Sequence, residues 1–283
     1  MITGRSGKLT IILLTVTLIM VAGGISRADD GEIDVIELSK KISGDSGSSM
    51  ARAGRLIEWV NDNFESTSTD YMKRTVEEII KNRHGNCAEL AKVLRALLEA
   101  AEIPCRWVAE INVQAVNKER EDCARNLVAK EGLYATVFGL MHNDHRWLEI
   151  YNDSVDTWIP MDPTLGTWGN EQWMETRMQF GPREGKEHNM IVPCVVIIQD
   201  GETLVEDRST EYLINRFNAF YGNKLANLPG WPQWKESVAR LSQLGIGAFD
   251  GKVNLHEHND LMEKHLAAYN TLKEQYGKLT EKK

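Results

Sequence analysis

Three residues far apart in the chain have the types that nucleophilic acyl chemistry needs: Cys87, His145 and Asp162. Cys87 stands in the run NRHGNCAELAKVLRALL, residues 82–98, between Gly85-Asn86 and a stretch whose apolar residues recur at helical spacing. Asn86 is a favoured N-cap residue, and Glu89 stands three further on, where a capping box places its acid. The pattern predicts Cys87 at the first helical position. There the unpaired amides and the positive end of the helix dipole favour thiolate over thiol, the nucleophilic form. Gly85 is expected to leave room for a substrate backbone beside the sulfur.

A cysteine nucleophile needs a base, usually histidine, and a third group to orient the imidazole. His145 heads the alternating stretch HRWLEIY, so His145, Trp147, Glu149 and Tyr151 share one face of a strand. The following stretch, TWIPMD, ends in Asp162. A two-residue turn at Asp153-Ser154 pairs position i with 307 − i and sets His145 opposite Asp162. A five-residue loop centred on Ser154 pairs i with 308 − i and sets Pro163 opposite instead. Either hairpin brings the two groups to neighbouring strand ends, although a slip of one residue turns one of them to the other face. Each residue also has a blander reading: a disulfide or packed thiol for Cys87, a core imidazole for His145, a turn former before Pro163 for Asp162.

The elements that must position these groups follow from period. Leu56, Ile57, Val60 and Phe64 mark a helix over about 51–64, and Met72, Val76, Ile79 and Ile80 another near 72–82. Residues 87–101 carry a wide apolar face, the mark of a helix buried against a sheet. RWVAEINVQ then alternates as a strand, LYATVFGLM at 133–141 reads as another, and HRWLEIY and TWIPMD follow. Residues 163–190 are irregular, with Trp168, Trp173 and Phe180 among Gly and charge, and read equally as a segment that lines or covers a cleft and as a long surface loop. CVVIIQDGETLV holds Asp200-Gly201 between apolar flanks, a hairpin signal. From about 209 the pattern is helical, interrupted at 227–234 and 245–252. Helices, then strands, then helices indicate an α+β fold: residues 29–50 as a linker, a core over 51–206 and a helical C-terminal extension over 207–283.

Arg5 and Lys8 precede the apolar run LTIILLTVTLIMVAGGI, and Ser26-Arg27-Ala28 supplies small residues where a signal peptidase reads, so residues 1–28 are expected to be a cleaved signal peptide, with an uncleaved membrane anchor as the alternative. Those residues hold three positive charges and no acid, so a chain at −8 becomes one near −11 without them. Such an acidic surface argues against nucleic acid as a partner, and no later segment is apolar enough for stable membrane insertion. The four cysteines, Cys87, Cys105, Cys123 and Cys194, invite disulfides outside the cytoplasm, Cys105 with Cys123 being the most local pairing. HNDH at 142–145 and HEHNDLMEKH at 256–265 lack zinc-enzyme spacing, so no metal is assigned.

Three segments together resemble one family. GNCAELAKVLRALLEAAEIPCRWV resembles the nucleophile segment of the transglutaminase-like superfamily, in which Gly-x-Cys opens a helix that ends in a Gly-Ile-Pro-x-Arg-like turn. HRWLEIY resembles its His-x-Trp-x-Glu strand, WIPMDPTLG its Trp-x-x-x-Asp-Pro-Thr strand, and RLIEWVNDNF the helix before the nucleophile. The resemblance covers roughly residues 51–165. It implies a papain-like core with the cysteine helix packed on an antiparallel sheet, Cys87 as nucleophile, His145 as base and acid, and Asp162 as the orienting carboxylate. It also implies attack on an amide carbonyl through a thioester, with no cofactor. The Cys87 amide and a side chain, with Trp59, Asn61 and Tyr71 as candidates, would hold the oxyanion. Three positions depart from the family pattern: Glu102 where Gly is common, Cys105 before the Arg, and Arg146 after the His, where it could crowd the cleft rim. The expected function is an exported cysteine enzyme acting on peptide or isopeptide amides of a protein substrate. Hydrolysis is favoured over crosslinking because nothing marks an amine-acceptor site. A glycan–asparagine amide shares the same attack chemistry. The alternative is a non-catalytic module that binds or assembles through its helical C-terminus.

Overall fold

In the computed structural model, which describes residues 33–67, 74–111, 126, 129–130, 145–181, 192–199, 203–249 and 259–281, the chain begins with four helices. They are α1 (Val35–Ser43), α2 (Ser49–Asn63), α3 (Val76–Asn82) and α4 (Cys87–Ala100). Each starts at a side-chain cap: Asp34 accepts from the amides of Ile36 and Glu37, Ser48 from Ala51, Thr75 from Glu78 and Asn86 from Glu89. Helix α1 lies inside the stretch expected to be a linker. Its Ser39 hydroxyl donates to the Leu97 carbonyl at 2.7 Å, which fastens α1 to α4. The stretch read as a linker from its polar residues thus contains a helix, whose Val35, Leu38 and Ile42 recur at helical spacing and pack on the first core.

Six strands form one antiparallel sheet in the order β6-β5-β4-β3-β7-β8. They are β3 (Cys105–Glu110), β4 (His145–Asn152), β5 (Thr157–Asp162), β6 (Thr167–Trp168), β7 (Val195–Gln199) and β8 (Thr203–Asp207). A separate two-stranded parallel pair, β1 (Glu65–Ser66) with β2 (His84–Gly85), stands just before α4 and had no sequence signal. The expected strand at 133–141 lies outside the described residues, as do Met72 and the signal segment.

Alternation along the central strands sends side chains into two separate cores. Trp107, Ala109, Leu148, Ile150, Met161, Val196 and Ile198 meet α1, α2 and α4 on one face. Here Leu90, Val93, Leu94, Leu97 and Leu98 of α4 are all at least 98% buried, each worth about 1.5–3 kcal/mol of transfer free energy. On the other face Val108, Trp147, Val195 and Ile197 meet the C-terminal helices. These comprise α5 (Asn170–Arg177), a π-helical turn (Glu211–Arg216) that runs into α6 (Phe217–Phe220), a 3₁₀ turn at Leu225–Asn227, α7 (Trp231–Phe249) and α8 (Asn259–Glu281). Trp173 and Phe180, expected beside a cleft, belong to this second core, and Trp168 lies over Gly54 of α2, where an added Cβ would meet its ring at 3.5 Å. Residues Ile33–Lys283 form one compact unit.

The loop from α4 to β3 explains one departure from the family pattern. Glu102 is exposed and has φ +58°, the left-handed region that favours glycine. Glu102→Gly should therefore raise stability by about 0.5–1 kcal/mol, or roughly 1–4 °C for a chain of this size. A thermal melt reads the change, and an unchanged or lower midpoint contradicts it.

Candidate active site

Helix α4 starts at Cys87 as its cap predicts. Asn86 Oδ1 accepts from the Glu89 amide at 3.0 Å, and Glu89 Oε2 accepts from the Asn86 amide at 3.2 Å. The Glu89 carboxylate is 1% exposed and is gripped by Arg74, whose Nε donates to Oε1 at 2.7 Å and whose Nη2 pairs with Oε2. Arg74 had no sequence signal, because it reaches Glu89 across a loop and not along a helix. The parallel pair completes the anchorage: the Thr67 amide donates to the Gly85 carbonyl at 2.8 Å. Gly85 is needed for a different reason from the one expected. A Cβ there would lie 3.1 Å from Glu89 Cβ and 3.2 Å from its Oε2, so the missing side chain admits the capping acid, not a substrate.

The hairpin that carries His145 and Asp162 has a register outside both expected ones. Asn152 pairs with Thr157 and Leu148 with Met161, so position i faces 309 − i around the four-residue turn Asp153–Asp156. One step further puts Asp162 across from Trp147 and diagonal to His145. Because 309 differs from 307 by two, both side chains stay on one face; the 308 register would have separated them. The diagonal gap is within reach of an imidazole. His145 Nε2 and Asp162 Oδ2 are 2.6 Å apart. Asp162 is fully buried, and its Oδ1 accepts from the amides of Thr164 at 3.1 Å and Leu165 at 3.3 Å. That local turn fixes the carboxylate before it meets the histidine.

Cys87 contacts the same imidazole by a side-chain hydrogen bond. With Nε2 engaged by Asp162, Nδ1 is the ring nitrogen left for the sulfur. Burial works against charge on this imidazole. The Asp162 charge and hydrogen bond, with Cys87 adding to both, outweigh it and raise the imidazole to about 10. The sulfur is half-buried and free, so it is reachable.

The ring of His145 stacks on Trp147, with centroids 5.7 Å apart and planes 27° apart. Trp147 Nε1 donates to the Tyr212 hydroxyl at 3.2 Å, which donates to Glu149 Oε1 at 2.8 Å. Glu149 is fully buried and also takes Arg106 at 2.7 Å and Arg216 at 3.0 Å. Glu149 thus braces the site and does not compete with Asp162. Arg146 alternates to the opposite face from His145 and is 7% exposed, so it does not crowd the rim.

Two of the oxyanion candidates have packing contacts of their own. Trp59 packs edge-on against Phe64 at 5.5 Å with the Arg83 guanidinium over it at 5.3 Å. Asn61 is exposed, with its amide against Gly166. Tyr71 lies outside the described residues. Cys105, expected opposite Cys123, is a free thiol, as is Cys194; Cys123 lies outside the described residues. Burial pushes the Cys105 thiol up to about 11, unsuited to nucleophilic work. His265, a tempting ligand, is fully buried between Ser237, the Val192 carbonyl and the Trp234 ring. Among the described residues no group of three or more metal-binding side chains converges, and no helix is long and apolar enough to cross a membrane.

The helix that begins with the cysteine, the histidine strand and the aspartate strand all fall within residues 36–163, which match the model of the transglutaminase-like superfamily. Over that segment the chain is similar to the transglutaminase-like superfamily. Solved structures similar to the chain include a candidate cysteine protease from Cytophaga hutchinsonii, at 20% identity and a TM-score of 0.33, covering 46% of this chain and 36% of that one. The periplasmic domain of TgpA from Pseudomonas aeruginosa matches at 20% identity and 0.33, covering 47% and 42%. LapG from Legionella pneumophila matches at 10% identity and 0.29, covering 68% and 99%. The chain therefore spans less than half the length of the first two. No curated protein matches it.

The raised imidazole of His145 has a consequence for stability. Its extra affinity for a proton in the folded state stabilises the fold fully below the unfolded value near 6.5, and that contribution is lost as pH rises through about 10. Relative to His145→Gln, the wild type should hold its largest stability advantage near pH 6, shrinking steadily toward pH 10. Paired denaturant titrations across that range measure it; an advantage that grows with pH contradicts the assignment.

Proposed function

We propose that this protein is an exported cysteine enzyme that cleaves peptide or isopeptide amides by acyl transfer to Cys87, with His145 and Asp162 completing a triad. The observation that carries the reading is the single imidazole held at 2.6 Å by a buried carboxylate on one side and in contact with the Cys87 sulfur on the other. Export rests on the signal-peptide pattern of residues 1–28.

The reaction follows from those contacts. At neutral pH the raised imidazole already holds the proton given up by the sulfur, and the sulfur attacks the carbonyl carbon as the anion paired with His145. The carbonyl oxygen gains the negative charge, and the Cys87 amide at the open start of α4 lies beside it as a donor. The C–N bond breaks as His145 returns its proton to the leaving amine. What remains is a thioester on Cys87. Water, deprotonated by His145, then attacks the thioester and releases the acid and the thiol. Asp162 keeps the ring oriented and stabilises its charged form throughout. An amine in place of water would give crosslinking, and hydrolysis is favoured because no acceptor-amine site was marked in the sequence. Binding without catalysis is disfavoured by the sulfur–imidazole contact. The apolar face of the C-terminal helices, moreover, is buried against the sheet and is not available for a partner.

Iodoacetamide should label Cys87 first in the folded protein, located by peptide mass mapping. His145→Ala should slow that labelling and any amide hydrolysis by about 10²–10⁴-fold, the usual worth of a general base. Faster labelling of Cys105, Cys123 or Cys194, or an indifferent His145→Ala variant, contradicts the reading.

A further inference from the structure

We infer that Tyr212, which lies outside the matched transglutaminase-like residues, is a positioning residue for His145, its hydroxyl fixing the Trp147 indole on which the imidazole rests. The inference rests on the proposed role of His145 and extends it to a segment that the family model does not reach.

The direction of each hydrogen bond is set by chemistry. An indole Nε1 can only donate and a carboxylate can only accept. The Tyr212 oxygen must therefore accept from Trp147 and pass its own proton toward Glu149. Trp147, Tyr212 and Glu149 are all fully buried, so no water stands in for a lost partner. Glu149 is itself immobilised from two elements, Arg106 on β3 and Arg216 on the π-helical turn. The guanidinium of Arg216 also lies 4.3 Å from the Tyr212 ring centroid and bonds the Trp158 carbonyl at 2.9 Å. The indole is thus pinned at its nitrogen and flanked by Trp173 at 5.4 Å, leaving one direction from which it supports the imidazole.

His145 is then held at three places: Nε2 by Asp162, the other ring edge by Cys87, and the ring face by Trp147. The first two contacts belong to the reaction and change during it. The third does not change, so it is the contact that returns the ring to register between steps. Tyr212 supplies the acceptor that the indole nitrogen needs for this. Phenylalanine at 212 would keep the ring contacts with Trp147 at 5.8 Å and Trp173 at 4.8 Å and remove only the hydroxyl.

The test is the titration of His145 in the full chain, followed by NMR of its ring protons and assigned with His145→Gln. In Tyr212→Phe the midpoint should fall by about half a pH unit or more, since a loosened ring loses part of the Asp162 and Cys87 contacts that raise it. Iodoacetamide labelling of Cys87 at neutral pH should slow roughly three- to tenfold, with its alkaline limb displaced in the same direction. If Tyr212→Phe does not fold, Trp147→Phe removes the other end of the same hydrogen bond and should produce the same displacement. An unmoved His145 titration in a folded variant overturns the inference. The two readouts separate the claims: failure of the wild type to label at Cys87 counts against the proposed function, while the titration shift still decides the role of Tyr212.

Discussion

The bond between His145 Nε2 and Asp162 Oδ2 is the constraint on which the rest of the site depends. It joins the start of one strand to the end of the next, so it exists only in a register that puts both side chains on one face. The carboxylate is already committed by two amides of its own turn before the imidazole arrives. The imidazole, in turn, must meet a sulfur delivered from the other layer of the molecule. Helix α4 brings that sulfur only because Arg74, Glu89, Asn86 and the small parallel pair hold its first turn in place.

The sheet is buried on both faces, and this makes the C-terminal helices part of the same unit as the site. One face anchors the Cys87 helix through leucines; the other carries the His145 face of β4 and a second, aromatic core. Across that second face a buried carboxylate, two guanidiniums and a phenol form one network. Such a network contributes little net stability when compared with an apolar replacement, yet loss of one member typically costs about 3–5 kcal/mol. Its value here is directional: it fixes which way the Trp147 indole faces. The transglutaminase-like residues alone do not contain it.

Much of the site was legible in the sequence because its signals are local. The Asn86–Glu89 cap, the leucine face of α4 and the alternation of HRWLEIY each occupy one short window, and each appears in the structure. The α+β class and the β7–β8 hairpin were equally plain. What could not be read depends on distance in the chain. The register of the β4–β5 hairpin was off by two residues, because Asp156 adopts a left-handed conformation that no glycine announced. The partnership of Glu149 with Tyr212 spans 63 positions, and nothing periodic marks it. Gly85 shows that even a correct emphasis on a residue can rest on the wrong neighbour: its space is filled by Glu89 of the same chain.

The claim that Cys87 carries an acyl group is tested most directly by trapping it. The protein is mixed with p-nitrophenyl acetate, quenched in acid and mapped by mass spectrometry. The geometry requires one acetyl group on Cys87, released by neutral hydroxylamine and missing from Cys87→Ser at the same quench time. An adduct confined to any other residue, or no acyl-thioester in a folded wild-type protein, would contradict the account.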